Sequence, residues 1–196
     1  STKLSKAIIL NMAQSAKATL LEKEAKAVLL CKFCQKNSKG VLVPGEGSSS
    51  AKLVFVGEAP GKNEAITGKP FIGRAGKVLD NLITIAGQKR EQVFITSAVK
   101  YLPKNYITPK PEDIKHGRKH LFAQLDIIKP QLVVLLGNVA VQTVLGRTLP
   151  VAQHHGTMLQ ENGQTYFISY HPAAPLYNPK LKIIIEKDFK ALKKLL

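Results

Sequence analysis

The 196-residue chain has no tryptophan, only two cysteines, and 13 acidic residues against 29 lysines and arginines. Two cysteines in a single Cys31-Lys32-Phe33-Cys34 run build no disulfide framework, which points to a reducing, cytoplasmic setting. No apolar run approaches the roughly 20 residues that span a bilayer, and residues 4–30 are studded with Lys, Gln and Glu. That stretch also lacks the arginine bias and small-residue cleavage pattern of a targeting peptide, so it reads as an amphipathic first helix. GxGxxG is missing. The one phosphate-loop lookalike, Gly57 to Gly61-Lys62-Asn63, is a residue short and has Asn where Ser or Thr would hold magnesium. Membrane-spanning, disulfide-scaffold and nucleotide-cofactor classes all lose support.

What is present in excess is positive charge, a net +16 spread along the chain with no single tail to account for it. Cationic side chains displace condensed counterions from a phosphate backbone and steer encounter from a distance, so a nucleic acid is the partner this imbalance favours. A basic surface kept for solubility is the alternative, and charge alone does not separate DNA from RNA.

Leu, Ile and Ala recur at three- and four-residue spacing over 4–30, and residues 36–50 then turn rich in Gly, Ser and Pro. Four apolar runs read as buried strands: 52–56, 93–96, 132–136 and 166–169. Helical periodicity falls at 75–86, 112–128, 139–145 and 181–196, and Pro103, Pro109 and Pro111 punctuate an irregular stretch before the second of these. Asn162-Gly163 marks a hairpin-like edge. Strands alternating with helices imply a three-layer α/β/α fold on a central four-stranded, mainly parallel sheet, with residues 1–196 as one domain and 1–30 packed on it. Ligands bind such sheets outside the carboxyl ends of the strands, which singles out the loops opening at Gly57, Ser97, Gly137 and Tyr170.

The first loop, residues 57–76, carries five glycines and two prolines around Glu58, Glu64 and Phe71; the last begins Tyr170-His171-Pro172. A carboxylate, an aromatic platform and an imidazole at strand ends suit a flat heteroaromatic base. A tight turn whose glycines only permit packing is the plainer alternative.

The run Val56-Gly57-Glu58-Ala59-Pro60-Gly61, then Glu64, then Gly68-Lys69-Pro70-Phe71-Ile72-Gly73-Arg74-Ala75-Gly76 resembles the first motif of family-four uracil-DNA glycosylases, the iron-sulfur, thermostable type. The resemblance continues through Ile95-Thr96, Val99-Lys100, Ile128-Lys129-Pro130-Gln131 and Leu136-Gly137 to His171-Pro172 and Asn178-Pro179. It implies a uracil-DNA glycosylase-like fold and a monomeric repair enzyme that hydrolyses the N-glycosidic bond of uracil in single- or double-stranded DNA. It makes Phe71 the platform under the flipped base, His171 the donor to a uracil carbonyl, and Glu58 the group that places or polarises water. Glu64 would guard the C5 edge of the base against a methyl. Gly57, Ala59, Gly61 and Ser97 would complete the base site. Arg74, Pro172, Leu176 and Asn178 would meet DNA, with Leu176 as the wedge that fills the emptied stack.

Two departures stand against the family pattern. Of the four cluster cysteines it implies, only Cys31 and Cys34 remain, with Tyr101 and His116 at the third and fourth positions. Two thiolates do not complete a four-cysteine iron-sulfur site, so the expectation is that no cofactor is held. His116 and His120, one helical turn apart, leave zinc with the Cys pair as the alternative. The second departure is Thr96-Ser97-Ala98-Val99-Lys100, where the family places an Asn that distinguishes uracil from cytosine; serine offers one hydroxyl in place of an amide. This keeps open a catalytically weak nucleic-acid-binding relative, or a glycosylase for another deaminated base such as hypoxanthine or xanthine. No basic insertion like that of the relatives that trap themselves covalently on DNA is present.

Overall fold

The computed structural model describes residues 2–104 and 108–196, with side chains from residue 11 onward. The irregular stretch expected around Pro103 to Pro111 therefore lies partly outside the described residues. In chain order the elements are helices α1 (Thr2–Leu30) and α2 (Lys32–Asn37), strands β1 (Glu46–Gly47) and β2 (Leu53–Gly57), and helices α3 (Glu64–Thr67) and α4 (Arg74–Ile85). Then come β3 (Phe94–Ser97), α5 (Pro111–Ile128), β4 (Leu132–Leu136), α6 (Asn138–Leu145) and α7 (Val151–His154). Strands β5 (Met158–Glu161) and β6 (Gln164–Ser169) and helices α8 (Ala174–Tyr177) and α9 (Lys180–Lys193) close the chain.

The strands form one six-stranded sheet in the order β1-β3-β2-β4-β6-β5. The four expected strands are its parallel centre, and two antiparallel strands flank them, so the expected count of four is corrected to six. One flank follows from the Asn162-Gly163 pair: both residues have positive φ, 51° and 78°, the requirement of a tight type I′ hairpin. The other, β1, is two residues in a Gly- and Ser-rich loop and left no periodic signal.

Side chains alternate between the two faces because successive residues of a strand point oppositely. Val54, Val56, Val133 and Leu135 face the core shared with α5 and α6; Leu53, Phe55, Val134 and Phe167 face the core shared with α4 and α9. Phe55 and Phe167 both pack on Phe189 of α9, with ring centroids 6.4 and 5.9 Å apart. Each such burial contributes about 1.5–3 kcal/mol. The chain runs from β2 to β3 on one side and then crosses to β4 on the other, with α4 and α5 on opposite faces. Adjacent loops consequently part at the carboxyl end of β2, which opens a crevice there.

Helix α5 begins with Pro111 at its first turn, and the Asp113 carboxylate accepts the Lys110 N–H at 2.9 Å. It ends at Lys129, left-handed at φ 52°, directly before Pro130. Helix α1, expected to be amphipathic, turns apolar residues inward over its second half among the described side chains. Residues 11–16 are exposed, and Ala18, Leu21, Ala25 and Val28, at three- and four-residue spacing, are the apolar residues that turn inward among those described. Polar ties complete its docking on α5: Lys17 Nζ donates to the Ile128 carbonyl at 2.7 Å, and Glu24 meets His120. No described helix is long and apolar enough to cross a membrane.

Candidate active site

The crevice at the sheet's carboxyl end holds a cavity of about 210 Å³ whose wall includes Ala59, Gly61, Glu64, Phe71, Ser97 and His171. The wall draws on the loop after β2, the start of α3, the loop before α4, the end of β3 and the loop after β6; of the four loops singled out from the sequence, the one opening at Gly137 supplies no wall residue.

Phe71 is the residue most constrained. Its backbone is left-handed at φ 49°, a conformation that costs a bulky L-residue about 1–3 kcal/mol unless its surroundings hold it. Glu64 supplies the hold: its Oε1 accepts the N–H groups of Ile72 at 2.8 Å and Gly73 at 2.9 Å. Two glycines supply the room. A Cβ on Gly57 would fall 2.5 Å from the Phe71 ring, and one on Gly76 would fall 1.9 Å from the Phe71 carbonyl oxygen. Gly57 thus lies beneath the platform and is not part of the wall. Glu64 is buried and lines the cavity, but its carboxylate is engaged in holding the loop. Glu64→Ala leaves two backbone donors without their acceptor. The expected result is a loss of about 1–3 kcal/mol in urea denaturation, with a disturbed Phe71; an unchanged midpoint would show that the clamp contributes nothing.

His171 follows β6 and stands 5.7 Å from Phe71, centroid to centroid, at 31°. Its Nδ1 accepts the Ala173 N–H at 3.1 Å. A neutral imidazole carries one proton, so this bond leaves it on Nε2. Burial pushes the imidazole down to about 4, which keeps it neutral near pH 7.

Glu58 directly follows β2 and is partly buried. Burial pushes its carboxyl up from the ordinary value. It is not in the cavity wall itself; its backbone carbonyl accepts the Val99 N–H at 3.0 Å, pinning the start of the loop to the turn after β3.

Ser97 is buried at the end of β3, and its hydroxyl donates to the Val99 carbonyl at 2.7 Å. That bond spends its single donor within the protein. Beneath it the fully buried Lys100 donates from Nζ to the Ser97 carbonyl at 2.8 Å, Thr96 Oγ1 at 2.5 Å and Gln124 Oε1 at 2.8 Å. Burial lowers this ammonium to about 7. Sequence reasoning noted Lys100 only within a motif and assigned it no part in holding the strand end.

The surface around the cavity differs from the expected DNA contacts in two respects. Arg74 and Asn178 are exposed, but Pro172 is buried and offers no face to DNA. Leu176 is half-buried in a groove with Val78, Leu82 and Ile185, whereas the adjacent Tyr177 is 87% exposed. Tyr177 carried no signal in the sequence, since an isolated tyrosine in a loop is unremarkable until its exposure is known.

A second cluster lies apart from the cavity. Cys31, Cys34, His116 and His120 present ligand atoms all within 4.8 Å of one another. Both thiols are free. Burial raises Cys34 to about 12; at Cys31 burial raises too, but the Cys34 backbone and the imidazoles of His120 and His116 outweigh it and bring the thiol to about 6. Tyr101 stays outside the group, its hydroxyl donating to Asp113. Two thiols and two imidazoles do not fit a cluster that needs four thiolates, while they do form a group able to bind a metal ion, where the sequence reading favoured surface histidines and reduced thiols.

Comparison with known proteins agrees with this geometry. The model of the uracil DNA glycosylase superfamily matches residues 44–196. The chain is 39% identical to a type-4 uracil-DNA glycosylase of Sulfurisphaera tokodaii, across 89% of this chain and 84% of that protein. It is 35% identical to one of Archaeoglobus fulgidus (88% and 91%) and 34% identical to one of Thermotoga maritima (89% and 93%). With a parallel sheet, a glycine-lined platform and an imidazole at the same strand ends, and this extent of match, the chain belongs to the uracil DNA glycosylase superfamily.

Proposed function

We propose that the chain hydrolyses the N-glycosidic bond of uracil in DNA and releases the free base, leaving an abasic site. The carrying observation is the His171 imidazole beside the Phe71 ring, held neutral with its proton on Nε2. The bond from the sugar C1′ to uracil N1 breaks with positive charge growing on the sugar and negative charge on the base. A donor fixed where the base carbonyl gains charge lowers that barrier without having to reorganise. Phe71 supports the extruded ring; Glu58 orients a water whose oxygen joins C1′ while the Glu58 carboxylate takes up its proton, and uracil departs with the electron pair of the broken C1′–N1 bond. Glu64 acts through Phe71, as a positioning residue. A flipped base must be compensated in the duplex; Tyr177, backed by Leu176 in its groove, is placed to fill the gap. Exposed Lys69, Arg74, Lys77, Lys180 and Lys182 supply the contact with phosphates. The reduced thiols suit action inside a reducing compartment, as a monomer.

The test is single-turnover excision from uracil-containing oligonucleotides, single- and double-stranded, with enzyme in excess. Alkali-labile sites are expected in both; none in either would overturn the reading. The engaged hydroxyl of Ser97 favours a second reading, a weak or altered-specificity relative. A parallel panel with hypoxanthine and xanthine distinguishes it, since faster release of either base than of uracil would replace uracil as the substrate.

A further inference from the structure

The cluster formed by Cys31, Cys34, His116 and His120 brings four ligand atoms within 4.8 Å of one another, and the glycosidic chemistry leaves it unused. We infer that these four residues hold one tetrahedral zinc ion, in place of the iron-sulfur cluster that the family resemblance implies.

Three observations carry this, all geometric. First, the ligand atoms lie within 4.8 Å of one another, with Cys31 Sγ and His116 Nε2 3.1 Å apart. A single zinc with bonds of about 2.0 Å to nitrogen and 2.3 Å to sulfur needs ligands roughly 3.3–3.8 Å apart, so small adjustments close the shell. A multi-iron cluster must hold its ligands apart by its own width, and the residue at one of the family's cysteine positions, Tyr101, is bonded to Asp113 instead.

Second, both imidazoles are oriented by contacts that leave one nitrogen for a metal. The ring of Phe33, between the two cysteines at the start of α2, stacks on His116 at 4.1 Å and 20°. His120 Nδ1 lies 2.7 Å from Glu24 Oε1, which leaves Nε2 facing the thiols. A carboxylate behind a ligating histidine fixes its tautomer and raises its basicity, the recurrent outer shell of zinc sites.

Third, the donors come from separate elements that already pack together, so their convergence is held by the fold. Glu24 is on α1, Cys31 directly precedes α2 and Cys34 lies within it, and both histidines are on α5, with Cys31 and His116 85 residues apart in sequence. An ion at this junction would add a direct link from α2 to α5 beneath the end of α1, where Glu24 meets His120. Two thiolates and a divalent ion sum to zero charge, which suits a half-buried site.

The test is metal analysis of protein purified without chelator or affinity tag. One zinc per chain, no iron and no visible absorption are expected; cobalt substituted for zinc should give the intense visible bands of a tetrahedral site. Strong chelation should lower the Tm. His116→Gln should lose the zinc at unchanged far-ultraviolet circular dichroism. Should that variant misfold, Glu24→Gln, which leaves all four ligands in place, should weaken zinc affinity by about 10–100-fold in competition with a chromophoric chelator. Stoichiometric iron with acid-labile sulfide, protein free of metal, or zinc affinity unchanged in both variants would overturn the inference.

Discussion

Replacing His171 by alanine is expected to slow single-turnover excision of uracil by roughly a hundred- to a thousandfold, the worth of one preorganised donor to developing charge. Affinity for uracil-free duplex should hardly change, because the imidazole faces the cavity and contributes no cation to the phosphates. The neutral ring also sets the pH behaviour. Folded, His171 titrates near 4, against about 6.5 in an unfolded chain. Between those values the unfolded chain binds the extra proton. This contribution to stability is therefore complete above about pH 6.5 and is lost as pH falls toward 4. The wild-type protein should show a falling Tm across that window, and His171→Ala should show a shallower slope. Excision should retain its donor throughout, since the Nε2 proton is present in the neutral ring. A variant within tenfold of wild-type rate would remove His171 from the mechanism.

The second large effect has the opposite sign. Ser97→Asn is expected to raise excision of uracil roughly ten- to hundredfold, because an amide can offer a donor and an acceptor to one edge of the base, a pair worth about 1–3 kcal/mol. The present hydroxyl is committed to the Val99 carbonyl, so the wild-type site has no side-chain donor here to distinguish uracil from cytosine. Measuring excision by both proteins on uracil and on the other deaminated bases reads the change directly. If the gain is confined to uracil, the native site is an impaired uracil site. If the substitution lowers excision, Ser97 belongs to a pocket shaped for something else, and the assignment of uracil as best substrate falls.

Much of the architecture was legible in the chain. The four central strands sit within two residues of where the apolar runs predicted them, because strands covered on both faces are mostly apolar along their length. Helix α4, expected over 75–86, runs from Arg74 to Ile85, and the hairpin announced by Asn162-Gly163 is present with the required positive φ values. Strand β1 and the short helices α2, α3, α7 and α8 were not read, since segments of two to six residues are too brief to display a period. The site was legible to the extent that its residues fall in loops after strands: Glu64, Phe71, Ser97 and His171 converge because a parallel sheet gathers those loops at one end.

What each residue does there was less legible. Glu64, expected to guard the base, lines the cavity while its Oε1 also holds the backbone of Ile72 and Gly73; Glu58 is not part of the cavity wall; Leu176 is seated in a groove while Tyr177 projects. By itself the sequence determined the sheet, the covering helices and the loops that carry chemistry, because burial on both faces and backbone freedom at glycine are properties of short stretches of chain. Only the tertiary structure decided that the Ser97 hydroxyl is already spent, that His171 carries its proton on Nε2, and that Cys31 and Cys34 meet His116 and His120 across 85 residues of sequence. Each of those depends on which group lies within hydrogen-bonding or ligand distance of another, and that distance is set by packing between elements that no local pattern relates.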